Sequence, residues 1–169
     1  MPYTGVLVGK SIKLSRLKVD SFRFEMLRAL DNIADGIEAD FEKTVETFEE
    51  QPEFKRNLSL SKGLMVVDVF TEDINYNRLN YGTEEHIIEA KNATNLVYKK
   101  GYTSKTVPRV IGSRQSSYAG PTRRRKSVIH PGFMAREFDK AIQKKWEPRA
   151  LRRLEEAIRR ATKASGHGR

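Results

Sequence analysis

Cysteine is missing from this sequence, which excludes disulfides and any thiolate metal site. Long apolar runs are missing too, and no window approaches the ~18 consecutive apolar residues of a membrane-spanning helix. Histidine is scarce. None of His86, His130 and His167 stands at ligand spacing from another histidine or a carboxylate on one helix, so zinc is not expected. No phosphate-cradling glycine loop is present, because Gly120-Pro121-Thr122-Arg123-Arg124-Arg125-Lys126 lacks the Gly-Lys-Ser/Thr ending of a nucleotide site. The apolar run near residue 7 has no basic region before it, so a secretory signal is not expected and the chain reads as cytoplasmically made. Acidic residues are missing from one long segment, residues 90–136, which carries eleven Lys and Arg.

What remains is a charged chain of 169 residues, with 38% hydrophobic and 32% charged residues. Its length suits one domain, or one domain with an extended arm. The modest apolar share suggests that neighbours in an assembly supply part of the stability. Net charge is +10, unevenly spread. Residues 1–89 hold 11 Lys+Arg against 17 Asp+Glu, a balance of −6, while residues 90–169 hold 21 against 5, a balance of +16. Such a split suits a basic face for nucleic acid, complementary faces for stacking subunits, or simply two solvated surfaces of opposite bias.

Val6, Val8, Ile12 and Leu14 alternate, which permits a short strand or an extended N-terminal arm over residues 1–19. With Asp20 or Ser21 as N-cap, Phe22, Met26, Leu30, Ile33, Ile37, Phe41, Val45 and Phe48 recur every three or four residues. They predict a helix of ~45 Å that Pro52 ends. The acidic row on its other face (Asp31, Asp35, Glu38, Glu42, Glu46, Glu49) reads as a solvated or subunit-facing surface. Leu64-Met65-Val66-Val67-Asp68-Val69-Phe70 predicts a strand. A turn at residues 73–78 then leads into a strand at 79–83, where Gly82 marks a bulge or left-handed turn. Further short strands are expected around Ile87-Ile88 and Leu96-Val97-Tyr98, with a turn at residues 91–94 between them. Gly101, Pro108, Gly112, Gly120 and Pro121 exclude helix from residues 99–126. Val107, Val110 and Ile111 could pair there with Leu96-Val97-Tyr98, and Val128-Ile129 would return the chain to the sheet. A last helix is expected from near Phe133 or Met134, with Phe138, Ala141, Ile142 and Trp146 on its apolar face. Pro148 would break it or open a second segment carrying Leu151, Leu154, Ala157, Ile158 and Ala161, before a frayed tail at residues 165–169.

The predicted class is α+β: a long N-terminal and a C-terminal helix packed on a small, mainly antiparallel sheet, with a long basic loop or hairpin arm. The predicted organisation is an extended segment at 1–19, one domain at 20–146 containing the arm at 99–127, and a basic helix and tail at 147–169.

Lys99, Lys100, Lys105, Arg109, Arg114, Arg123, Arg124, Arg125 and Lys126 are the candidate contacts, to neighbouring subunits or to DNA. Neutralising phosphates releases counterions, so their binding to DNA would be salt-dependent and sequence-independent. Tyr98, Tyr102 and Tyr118 interleave the arm, suited either to stacking on bases or to packing at a hairpin edge. A catalytic His130 would need a nucleophile or base that the sequence does not nominate, so a role in the turn is expected and no enzymatic activity. A nuclease reading lacks an acidic metal cluster beside the basic surface.

Tyr81-Gly82-Thr83, His86 and Ile88, followed after an insertion by Val128, His130-Pro131-Gly132 and Phe138, stand between a long helix and an amphipathic one. That order, over roughly residues 20–145, resembles the neck and tail-completion proteins of long-tailed bacteriophages. The resemblance implies structural turns at Gly82, Thr83, His130, Pro131 and Gly132. It further implies a virion protein without cofactors, in a ring, typically a hexamer, around the DNA channel of the head–tail junction. Its partners would be further copies, other neck, connector or tail proteins, and genomic DNA, with assembly in the host cytoplasm and no membrane. Here the insertion is longer and more basic than the family's usual connection, and the chain extends past it after Trp146.

Overall fold

In the computed structural model, residues 4–11, 19–61 and 64–165 are described, with backbone alone for 4–11, 19, 60 and 61. Strand β1 (Thr4–Ser11) lies along β3 (Leu64–Thr71), which pairs on its other side with β2 (Lys55–Ser61). Both pairings are antiparallel. The segment set apart at 1–19 therefore contributes an edge strand to the main sheet; Ile12 and Leu14 fall outside the described residues. Met65, Val67, Val69 and Thr71 alternate along β3 and are buried on one face.

Helix α1 (Val19–Val45) covers that face with Phe22, Met26, Leu30, Ile33, Ile37, Phe41 and Val45. It stops before Phe48, well short of Pro52. The physical reason is local: the Phe48 amide closes a turn on the Val45 carbonyl (2.8 Å), and the Thr47 amide donates to the Ser113 hydroxyl (3.1 Å) rather than up the helix.

Residues 73–83 differ from the turn and strand expected there: they fold as helix α2 (Ile74–Tyr81). The Asp73 carboxylate accepts from the Tyr76 amide (2.7 Å), capping it, while Tyr76 and Asn80 enter the core. Gly82 ends it at φ 83°, ψ 174°, a region open to glycine.

Helix α3 (Phe138–Ala164) begins later than Phe133 or Met134 and is continuous through Pro148. Its start is fixed by Asn80, whose side-chain oxygen accepts from the amides of Phe138 (2.7 Å) and Asp139 (3.3 Å). An interior proline costs about 3 kcal/mol. Burial of Trp146 and Ala150 on either side, with Phe138, Ile142, Leu154, Ala157 and Ala161 along the same face, offsets it. The division expected after Trp146 falls inside this helix, which packs along α1. In the expected frayed tail, the Ser165 hydroxyl donates to the Ala161 carbonyl (2.8 Å); residues 166–169 lie outside the described residues.

Between the helices, Gly36 faces the Trp146 indole so closely that a Cβ would lie 2.1 Å from its ring. Buried Asp40 accepts from the indole Nε1 (2.7 Å) and from Lys145 Nζ (2.6 Å). These contacts seal one core, in which the two long helices and Tyr76 of α2 pack with the three-stranded sheet.

Candidate assembly and nucleic-acid surface

The basic segment leaves this core as a long hairpin. Strand β4 (His86–Glu89) pairs with β9 (Ser127–His130), β5 (Leu96–Lys99) with β8 (Thr122–Arg125), and β6 (Tyr102–Thr103) with β7 (Ser117–Tyr118). All three pairings are antiparallel. The partner of Leu96, Val97 and Tyr98 is the arginine run itself, in place of Val107, Val110 and Ile111. Val128 and Ile129 likewise pair within the arm rather than in the main sheet.

At the root, the two motif segments clasp each other. Thr83 and Phe133 exchange backbone hydrogen bonds, 3.1 Å in each direction. Gly132 sits at φ 75°, where a Cβ would stand 2.1 Å from the Thr83 carbonyl oxygen. Gly82 is also tightly packed, with a Cβ position 2.8 Å from the Ala135 nitrogen. His130 Nδ1 accepts from the Gly132 amide (3.1 Å), so this imidazole closes the turn around Pro131. Its ring lies 5.0 Å from that of His86, directly opposite in the ladder. Among the described residues, no group of three or more acidic or histidine side chains is placed to hold a metal.

The nine candidate cations separate into two sets. Three anchor the far end of the arm, which folds back onto the body. Lys105 donates to the Thr47 carbonyl (2.9 Å) and lies over the Phe48 ring. Arg114 reaches the Ser104 carbonyl (3.0 Å), and its own carbonyl accepts from the Thr47 hydroxyl (3.0 Å). Arg109 pairs with Glu137. Arg136, outside the nine, braces the same end through Thr106 (3.1 Å) and Ser104 (2.9 Å), and burial pulls its guanidinium pKa down.

The other six, Lys99, Lys100, Arg123, Arg124, Arg125 and Lys126, are exposed on the crest of the resulting arch. Among the described residues none forms a side-chain hydrogen bond or ion pair. Ladder partners share a face, so Arg123 and Arg125 rise beside Tyr98 and Leu96, and Arg124 on the other face beside Val97. Cations thus project on both sides of the ribbon. Tyr102 and Tyr118 pack against each other across their strands, 5.1 Å apart, and both remain half-exposed.

An open hollow of about 1160 Å³ lies between arch and body. Glu49, Glu50, Glu84 and Glu85 line it with Tyr102, Tyr118 and Phe133, beside the two cations Arg78 and Lys105. Sequence reading missed this hollow, because its two Glu-Glu pairs, 49–50 and 84–85, lie in the acidic half of the chain and do not stand out there. Ile87, Ile129 and Val97 stand out from the arm, each more than 60% exposed. No helix among the described residues is long and apolar enough to cross a membrane. No family model, curated protein or solved structure matches the chain.

Proposed function

We propose that this chain is a structural protein of the bacteriophage neck, a tail-completion or head–tail connector subunit without enzymatic activity. In this reading, copies close into a ring, a hexamer by the resemblance, around the DNA channel at the head–tail junction. The ring assembles in the host cytoplasm and contacts other neck, connector or tail proteins. One observation carries the proposal: the two motif segments that bear the resemblance meet, through the Thr83–Phe133 hydrogen bonds and the His86–His130 pairing, as a single corner. That corner raises a hairpin whose exposed Ile87, Ile129 and Val97 suit burial against a neighbour rather than a lone life in solvent.

A second reading is a nucleic-acid-binding module. It is favoured by the crest alone, with six cations unpartnered among the described residues and no carboxylate between Glu89 and Glu137. Mass measurement of the purified protein, combined with negative-stain imaging, separates the two. Closed rings support the neck protein. A monomer that holds duplex DNA at low salt and never forms rings supports the module and contradicts the ring.

A further inference from the structure

The hollow under the arch carries recognition chemistry that its own chain leaves unused. Glu49, Glu50, Glu84 and Glu85 are exposed along it, and none forms an ion pair among the described residues. Carboxylates and aromatic faces such as Tyr102 and Tyr118 together suit guanidinium groups. Arg donates in a planar fork to carboxylates and stacks on rings.

The same chain displays guanidinium groups on its crest. Arg123, Arg124 and Arg125 line no part of the hollow in their own copy. They and Lys126 have no side-chain partner among the described residues. Two exposed sets of opposite charge, both without ion pairs among the described residues of one copy, can satisfy each other between copies. Resting on the ring reading above, we propose that the arginine crest of each copy enters the glutamate-lined hollow of the next, head to tail. Such a contact is heterologous, joining different patches of the two subunits, and closes into a ring when the rotation between copies allows it. The occupant is a second copy rather than DNA, because the four carboxylates of the hollow outnumber its two cations, Arg78 and Lys105, and so repel phosphate while they attract the crest.

Charge reversal tests this. One variant carries Arg123→Glu, Arg124→Glu and Arg125→Glu; the other carries Glu49→Lys, Glu50→Lys, Glu84→Lys and Glu85→Lys. With melting curves confirming that both fold, each alone is expected to self-associate at least about tenfold more weakly than the unaltered chain. An equimolar mixture is expected to restore rings, because each reversed patch then meets its complement. A cysteine pair gives a readout that does not depend on charge. Arg124→Cys with Glu85→Cys should oxidise into a ladder of covalent multimers, whereas either single cysteine stops at dimers.

Rings from each reversed variant alone, or no ladder from the double-cysteine protein, overturn the interlock and leave the ring reading standing. Crest reversal that abolishes duplex binding while rings persist gives the crest to DNA and also overturns it. An unaltered protein that stays monomeric at low salt overturns both.

Discussion

Arg109 and Glu137, the two non-glycine residues with positive φ among the described residues, form an ion pair with each other. One lies at the tip of the arm and the other immediately before α3, so two strained backbones meet where the arch returns to the body. The Lys140 ammonium first, and the Arg109 guanidinium second, hold the Glu137 carboxyl below the ordinary carboxylate range. Lys140 is in turn raised by Glu137.

The sign of the pH dependence follows. A depressed carboxyl stabilises the fold above its unfolded pKa and loses that contribution as pH falls through the folded value. The raised Lys140 contributes below its unfolded pKa and loses that contribution as pH rises through its folded value. Glu137→Gln is therefore expected to lower Tm at neutral pH and to match the unaltered protein in acid. Thermal melts of both proteins from pH 2 to pH 7 check this (~one unit apart is sufficient to resolve a carboxyl titration). A Tm difference that persists undiminished into acid contradicts the pairing.

Gly132→Ala puts a methyl group against the Thr83 carbonyl at a positive φ, so strain and a broken clasp act together. A loss of about 2–4 kcal/mol is expected. That corresponds to a Tm drop of roughly 5–15 °C for a chain of this size. Gly82→Ala should behave similarly, since its backbone also lies in a region that side chains avoid. Melting temperatures equal to that of the unaltered protein would remove the corner from the account.

The helix seam offers a contest between propensity and packing. Gly36→Ala gains about 1 kcal/mol of helix propensity. It also drives a methyl group into the Trp146 ring, and overpacking costs about 1–3 kcal/mol. Net destabilisation is expected. Asp40→Ala leaves the buried indole N–H without its acceptor and frees Lys145, at a cost of about 2–4 kcal/mol. Urea unfolding measures both, and a stabilised Gly36→Ala protein contradicts the close packing.

Replacing Arg123, Arg124, Arg125 and Lys126 together by Ala should leave the fold intact, because all four side chains are exposed and unpartnered among the described residues. Tm is expected to hold to within a few degrees, roughly the effect of 1 kcal/mol. Association between copies should fall. Any binding to duplex DNA should lose salt dependence by about 0.9 in log–log slope for each phosphate contact removed. Destabilisation comparable to a core deletion would show that the crest supports the fold instead.

The sequence announced those elements that bury one regular face. Phe22 through Val45 on α1 and Ile142 through Ala161 on α3 recur at helical spacing because the same core receives them. The β3 strand was legible from its β-branched run. Helix α2 was not, because its capping depends on Asp73 and one of its buried residues is the polar Asn80, whose partners belong to α3. The arginine strand β8 was illegible for a different reason: all four of its residues are exposed, so it lacks the apolar alternation that marks half-buried strands. The return of the arm rests on Thr47 meeting Lys105, Ser113 and Arg114, contacts between distant segments that no spacing reveals. The corner glycines and His130 stood out in advance because their short motifs flank the arm on both sides. The structure added that the two motifs form one joint.

Imaging the head–tail junction of assembled phage particles at side-chain resolution tests the central proposal most directly. The account predicts a closed ring of this chain around the DNA channel, with each Thr83–Phe133 corner raising its arm toward the adjacent copy. Intact particles whose junction contains no copy of the chain, while the protein itself remains monomeric on DNA, would contradict it.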